Sequence, residues 1–301
     1  MRIAITGGTG FVGSHLIDLA LAAGNSVKAL TRQDQPGRDN LEWIAGDLAD
    51  RGALEKLVDH GDAIIHVAGI ISSHTAATFE QGNVTGTLAM LAAATAGGVH
   101  RFVQVSSLAA REPKLSLYGA SKRKGEELVM SSGLDWAIVR PPAVYGPGDK
   151  ETLELFRMAK LGLMVMPRKG RVSVIHVDDL ARLLLALADP AAPTSCLNEP
   201  DDGKPGGWTH KEFANALAEA VGTKAAVISS PGIFLRLAAR ADQLLRGDKA
   251  KLTVDRAAYF SHRDWVVEPK RIPPPALWRP QVDTRQGLAE TAAWYREQGW
   301  L

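Results

Sequence analysis

The sequence predicts an α/β fold, a doubly wound parallel sheet followed by a smaller C-terminal α/β lobe for substrate. Three observations carry that prediction. A short apolar strand, Arg2-Ile3-Ala4-Ile5, runs into a glycine turn, Thr6-Gly7-Gly8-Thr9-Gly10-Phe11-Val12-Gly13. Further short apolar runs alternate with helical stretches, as βαβ units do. Those runs are continuously apolar, which marks strands covered on both faces.

The first helix follows the turn directly. Phe11 to Ala22 carries apolar residues at helical spacing and stops at Ala23-Gly24-Asn25, a C-cap signal. Strand, glycine turn and helix in that order form the context of a phosphate-binding fingerprint. Gly7 allows the tight turn, and Gly13 allows helix to pack closely on strand. Gly10 lets a pyrophosphate reach the N–H groups and positive dipole end of the helix, with Thr9, Phe11 and Val12 beside it. The spacing is G-x-x-G-x-x-G, wider at the first gap than the usual dinucleotide motif. The alternative, an ordinary Gly-rich turn, does not account for the flanking strand and helix.

Later strands are expected at Ser26–Thr31, Leu41–Ala45, Ala63–Val67, Phe102–Val105 and Ala137–Val139. After Gly146-Pro147-Gly148 the pattern loosens into longer helices, and Pro273-Pro274-Pro275 marks an extended segment. A last helix over 284–298, closed by Gly299, carries Leu288, Ala292 and Tyr295 on one face. The expected division is therefore a dinucleotide-binding domain over 1–165 and, over 166–301, mainly a substrate lobe with segments returning to the sheet.

Composition narrows the classes. A net charge of +2 gives no reason to expect nucleic acid as partner. Apolar residues at 46% and charged residues at 23% fit a soluble globular chain with a sizeable core. The single cysteine, Cys196, excludes an internal disulfide and suits a reducing cytoplasm. The N-terminus lacks the pattern of a signal peptide, and no apolar run reaches the roughly 18 residues of a membrane span. A cytoplasmic protein without a transmembrane segment is expected, and peripheral membrane contact is not.

Two constellations carry chemistry. The second strand ends Thr31-Arg32, where a carboxylate would receive the ribose hydroxyls of NAD and an arginine would pair with the 2′-phosphate of NADP. Arg32 therefore predicts NADP, with NAD as the alternative; as a plain solvated loop charge it would discriminate nothing. Asp47, with Leu48 after it, follows the third strand where a carboxylate can take the adenine amino group. The second constellation is Ser106-Ser107 at a strand end, then Tyr118-Gly119-Ala120-Ser121-Lys122 opening a helix. Tyr118 and Lys122 share one helical face, and a nearby ammonium favours tyrosinate, making the phenol usable as a proton donor and acceptor. A serine hydroxyl beside it can polarise a carbonyl.

With these residues in view, the chain resembles the extended short-chain dehydrogenase/reductase superfamily, in its NAD-dependent epimerase/dehydratase-like branch with a Rossmann domain. The resemblance runs through Gly46-Asp47-Leu48, His66-Val67-Ala68-Gly69, Asn83 with Gly86-Thr87, and Val105-Ser106-Ser107. It continues through Tyr118 with Lys122, Arg140-Pro141-Pro142-Ala143-Val144-Tyr145-Gly146-Pro147, Ile175-His176-Val177-Asp178-Asp179-Leu180 and the last helix. It implies that Tyr118 is the acid/base, that Lys122 holds the nicotinamide ribose and depresses the Tyr118 pKa, and that Ser107 rather than Ser106 orients substrate. It implies that Val67, Ala68 and Gly69 pack beside the cofactor and that Pro141, Ala143 and Val144 lie near the nicotinamide. His176, Asp178 and Asp179 would open a structural helix, and no metal is expected. Family members often pair through helices of the nucleotide domain, so a homodimer is an expectation too.

Three departures bear on substrate. Ala143 stands where sugar-nucleotide enzymes usually carry Asn, Val172 stands where they commonly carry Arg, and Arg32 indicates NADP where epimerases hold NAD. They favour a small, apolar carbonyl substrate interconverted with a secondary alcohol by hydride transfer. Two alternatives stay open: a nucleotide-sugar epimerase or dehydratase, and a non-catalytic NADP-binding accessory protein similar to the complex I subunit, which the short Ser107–Tyr118 connection resembles. Between Gly232 and Arg246, Phe234, Leu237, Ala238, Ala241 and Leu245 share one helical face and Arg236 and Arg240 another. That reads as a core face or, more sharply, as an apolar lid or a helix on a membrane surface.

Overall fold

The computed structural model describes residues 1–73, 75–167, 170–230, 258–259 and 262–301. The helix expected between 232 and 246 lies outside them. The chain divides into two compact units, one of Met1–Pro141, Asp178–Pro200 and Arg271–Arg279, the other of Pro142–Val177, Asp201–Lys270 and Pro280–Leu301. The sequence division at 165 differs because Tyr145, Phe156 and Met164 pack into the second unit's core.

In the first unit β1 (Arg2–Thr6), α1 (Phe11–Ala22), β2 (Ser26–Thr31), β3 (Leu41–Ala45), α2 (Arg51–Val58) and β4 (Ala63–His66) follow in order. A short α3 (Ala76–Glu80) runs through a π-turn at Gln81–Thr85 into α4 (Gly86–Ala96), then come β5 (Arg101–Val105), α5 (Leu117–Met130) and β6 (Asp135–Val139). The strands form a seven-stranded sheet in the order β11-β6-β5-β4-β1-β2-β3, in which β11 is Cys196–Asn198. Every pairing in it is parallel. The chain starts in the middle, runs out to β3 and crosses back to β4. The switch point therefore lies between the carboxyl ends of β1 and β4, the place where open α/β sheets take ligands. Leu54, Leu57, Ile64, Met90, Phe102 and Ile138 build the core on one face of this sheet.

Two strands begin earlier than the apolar pattern indicates. Arg101 opens β5 because its buried guanidinium donates to the carbonyls of Leu187 at 2.6 Å and Pro193 at 3.1 Å. Held by those two bonds, with only Nη1 lacking a partner among the described residues, the charge stands inside a strand. Asp135 and Trp136 likewise extend β6, pairing with Arg101 and Phe102. At β4 the ladder ends at His66, one residue sooner than expected.

The second unit holds β7 (Ala143–Tyr145), α6 (Leu153–Lys160), β8 (Leu163–Pro167), β9 (Arg171–Val172) and β10 (Val174–His176). After α7 (Val177–Ala188), which runs into the first unit, come β12 (Trp208–Thr209), α8 (His210–Val221), β13 (Ala226–Ser230), β14 (Asp264–Trp265) and α9 (Thr284–Glu297). Thr209 and Glu212 close a capping box at the start of α8. Leu288, Ala292 and Tyr295 of α9 are fully buried with Phe156, Met164 and Leu217. Asp149, in the loop before α6, is buried and accepts from the N–H groups of Glu151 and Thr152; burial raises its carboxyl above the ordinary range.

Candidate active site

At the carboxyl end of β1 the glycine turn is fixed by contact. A side chain on Gly7, whose φ is +74°, would place its Cβ 2.7 Å from the Ala68 nitrogen, and one on Gly13 would run into the Gly7 carbonyl. Gly10 differs: its only close neighbour would be the Gly7 oxygen at 3.2 Å, so its outer side is open. No side chain caps the N-terminus of α1, and no acidic residue stands in its first turn. Those N–H groups and the dipole of α1 fit a pyrophosphate. Thr9 and Gly10 are exposed, and Phe11 and Val12 half-buried. Beside the turn, the ring edge of Trp43 lies 3.4 Å from the position of a Gly8 Cβ.

At the ends of β2 and β3, Arg32 is exposed and makes no hydrogen bond or ion pair among the described residues. It is available to an anion, whereas Arg38 is paired with Asp18 at 2.6 Å. Asp47 accepts the Ala49 N–H at 2.8 Å, and Leu48 packs on Gly86.

Val67, Ala68 and Gly69 leave β4 along a loop held by a buried relay. The Ala68 N–H donates to Thr6 Oγ1 at 3.2 Å, and Thr6 Oγ1 lies 2.7 Å from His66 Nδ1. His66 Nε2 lies 3.3 Å from Thr87 Oγ1, which itself donates to the Asn83 carbonyl at 2.8 Å. One proton assignment satisfies all of them, a neutral His66 carrying its hydrogen on Nε2. Burial, with the Lys122 charge adding to it, pushes His66 down to about 3. Asn83 then clamps Ile70 on both sides, accepting its N–H at 2.7 Å and donating to its carbonyl at 2.9 Å. Its second amide hydrogen goes to Ser121 Oγ at 2.9 Å, and Ser121 donates to the Tyr118 carbonyl at 2.8 Å. The loop after β4 and the helix of Tyr118 are thus tied through one amide. Sequence reading marked Asn83 by resemblance but missed this role, since nothing local to a lone Asn reveals two distant partners.

Lys122 and Ser107 each stand at the carboxyl end of β5. Lys122, 7% exposed, donates from Nζ to the Val105 carbonyl at 2.7 Å, and a Cβ on Gly69 would lie 3.2 Å from that Nζ. Burial pulls Lys122 down to about 8, with the Glu126 charge opposing. The adjacent serines separate cleanly. Ser106 donates to Glu126 Oε1 at 2.6 Å, inside a buried network in which Arg140 grips both Glu126 oxygens at 2.7 and 2.6 Å and Glu199 at 3.3 Å. Ser107 instead accepts the Ala109 N–H at 3.2 Å at the head of a short 3₁₀ turn, which the Pro141 carbonyl holds through the Leu108 N–H. Its hydroxyl proton has no acceptor among the described residues. Ser116 caps α5 by accepting the Gly119 N–H at 2.9 Å, and a Cβ on Gly119 would come within 2.6 Å of the Ala109 oxygen. That contact seats half-buried Tyr118 against the Ser107 turn, one helical turn before Lys122, with Phe79 at 6.1 Å ring to ring.

The remaining candidates belong to other elements. Ala143 and Val144 lie in β7, in the second unit, facing Val174 and Ile175 of β10 in register. Asp178 lies 2.6 Å from His15 Nδ1, Asp179 pairs with Arg182, and His176 meets Tyr145 edge-on at 5.3 Å. No group of three or more possible metal-ligating side chains gathers among the described residues. A depression of about 490 Å³ lies at the amino ends of β1 to β3, beside Arg2, Ser26 and Asn40, at the opposite end of the sheet from the glycine turn.

Comparison with known proteins agrees with the fold. The NAD dependent epimerase/dehydratase family matches residues 3–195. Ceramide reductase of Caulobacter vibrioides is 38% identical over 99% of this chain and 96% of its own. A ketoreductase of Stigmatella aurantiaca, named for 4-hydroxy-2-methyl-3-oxo-4-farnesyl-3,4-dihydroquinoline-1-oxide, is 30% identical over 81% of this chain and 80% of its own. The structure of MoeE5 in complex with UDP-glucuronic acid and NAD has the same fold, with a TM-score of 0.77 at 21% identity over 99% of this chain and 100% of that one. The chain belongs to the NAD-dependent epimerase/dehydratase family and is an NAD(P)-dependent enzyme of the extended short-chain dehydrogenase/reductase type.

Proposed function

We propose that this enzyme reduces a ketone on a long-chain, ceramide-type lipid to the secondary alcohol, with NADPH as the preferred reductant. What supports reduction is Lys122 anchored to the last residue of β5, Ser107 on the turn that follows, and Tyr118 one helical turn before Lys122, with Ser106 committed to Glu126. The bound nicotinamide supplies the hydride. Ser107 holds the carbonyl oxygen with its free proton, and Tyr118 delivers the proton that completes the alcohol. Lys122 binds the ribose, and its charge lowers the cost of leaving tyrosinate behind.

The apolar substrate class rests on the two relatives, whose names carry a ceramide and a farnesyl group. It rests also on Arg171, whose guanidinium donates to the carbonyls of Gly206 and Gly207 and so is committed inside its own unit. Val172 beside it offers no cation, and Ala143 offers no amide. Exposed Arg32, unengaged among the described residues, supports the preference for NADP.

The test follows NADPH oxidation with an N-acylated long-chain amino ketone in detergent, beside a panel of soluble ketones. Calorimetric titration with nucleoside-diphosphate sugars runs in parallel. Turnover of the lipid ketone with no sugar-nucleotide binding is the expected result. Micromolar sugar-nucleotide binding moves the enzyme to the epimerase or dehydratase reading, and no turnover of any ketone overturns the reductase reading.

A further inference from the structure

β8 and β13 pair in parallel over their whole length, Leu163 opposite Ala226 and Val165 opposite Ile228. On the inner face Met164 and Met166 are buried in the second unit's core, with Val227 packed against it. The outer face should then be polar, as it is where one side of a sheet meets water. It is not. Leu163 is 45% exposed, Val165 38% and Ile228 52%, Ala226 is exposed between them, and Leu161 in the preceding turn is 84% exposed.

The charge at the head of this apolar face is of one sign. Lys160, which ends α6, and Lys224, just before β13, are exposed at the end where both strands begin, since the Ala226 N–H bonds the Gly162 carbonyl at 2.9 Å. Neither lysine has an ion pair among the described residues. No Asp or Glu occurs in 158–167 or 222–230. A contiguous exposed apolar patch marks an interaction surface. Apolar side chains on two strands without carboxylates, beside cations unpaired among the described residues, match the boundary of an anionic bilayer, where the apolar groups enter the acyl region and the cations meet lipid headgroups.

We propose that the outer face of β8 and β13, with Leu161 at its tip, docks the enzyme on an anionic membrane surface. This rests on the lipid-substrate reading for its purpose, because a ceramide-type ketone resides in a bilayer and must be met there. The binding itself does not depend on turnover. The sequence alone leads to the opposite expectation, because the face is built from two segments some sixty residues apart in the chain.

The test is sedimentation of the full chain with vesicles of equimolar phosphatidylcholine and phosphatidylglycerol, against vesicles of phosphatidylcholine alone. The wild type should partition onto the anionic vesicles and be released by high salt. Leu161→Ser with Ile228→Ser, both at exposed positions, should weaken partitioning roughly tenfold or more, and Lys160→Ala with Lys224→Ala should do the same. Both variants should keep wild-type NADPH affinity and wild-type turnover of a short soluble ketone, which separates failure of docking from failure of the reductase reading. No partitioning by the wild type, or undiminished partitioning by the variants, overturns the proposal. So does a wild-type dimer in solution that Leu161→Ser with Ile228→Ser turns into monomers, because the face would then join two copies of the chain.

Discussion

The Lys122 ammonium donates to the Val105 carbonyl at 2.7 Å, so a cation one turn after Tyr118 is anchored to the last residue of β5. Burial brings its pKa down to about 8. At neutral pH the ammonium is the dominant form, and the charge is lost as pH rises through that value. Activity is expected to fall on the alkaline side, with kcat/KM turning down near pH 8 while the fold persists. A pH profile read beside circular dichroism checks both. Lys122→Ala should damage cofactor affinity and turnover together.

Tyr118→Phe should leave the fold and most of the NADPH affinity intact and lower kcat by a factor on the order of 10²–10⁴ or more. Stopped-flow turnover and fluorescence titration of the same preparation separate the two effects. Unchanged turnover would remove Tyr118 from the chemistry.

Arg32→Asp should reverse the cofactor preference. A charge-assisted phosphate contact is worth roughly 1.5–3 kcal/mol, so the ratio of NADPH to NADH affinity should change by about tenfold or more. Titration with both reduced cofactors decides it, and an unaltered ratio would place the 2′-phosphate elsewhere.

His66 sets an acid limit. Its pKa is about 3 in the fold against an ordinary 6.5, so between those values the unfolded chain binds the extra proton. Stability from this group is whole above pH 6.5 and is lost as pH falls towards 3, by up to about 5 kcal/mol. Urea unfolding between pH 7 and pH 4 should show the slope, and His66→Gln should flatten it while lowering stability at neutral pH.

Arg140→Met would leave Glu126 and Glu199 as buried carboxylates without their main partner. A loss of about 3–5 kcal/mol is expected. Adding Glu126→Gln should recover part of it, which a double-mutant cycle in urea measures.

The nucleotide-binding half was legible because its signals are local. The glycine turn, the runs at Ser26–Thr31 and Leu41–Ala45 and the helix Phe11–Ala22 need only adjacent residues, and they stand as expected. Tyr118 and Lys122 were legible as a pair for the same reason. The choice between Ser106 and Ser107 was readable only by resemblance, because it turns on Glu126, twenty residues further along. Arg101 inside a strand, the His66 relay and the Asn83 clamp depend on partners the chain brings from far away, and no periodicity announces them. The short strands β8, β9, β12 and β13 were missed because two to five residues carry too little pattern to stand out.

Trp43 gives the glycine turn a voice in light. Its indole is held by a hydrogen bond from Nε1 to the Pro36 carbonyl at 3.1 Å, with the opposite ring edge beside Gly8. A reduced dinucleotide seated on the turn would place its adenosine half near this ring and bring its nicotinamide, which absorbs where tryptophan emits, into the same end of the sheet. Quenching at 43, rescued as emission from the nicotinamide and diminished in Trp43→Phe, would report occupancy without a label. Every cofactor variant named above could then be ranked on one spectrometer, before any substrate is in hand.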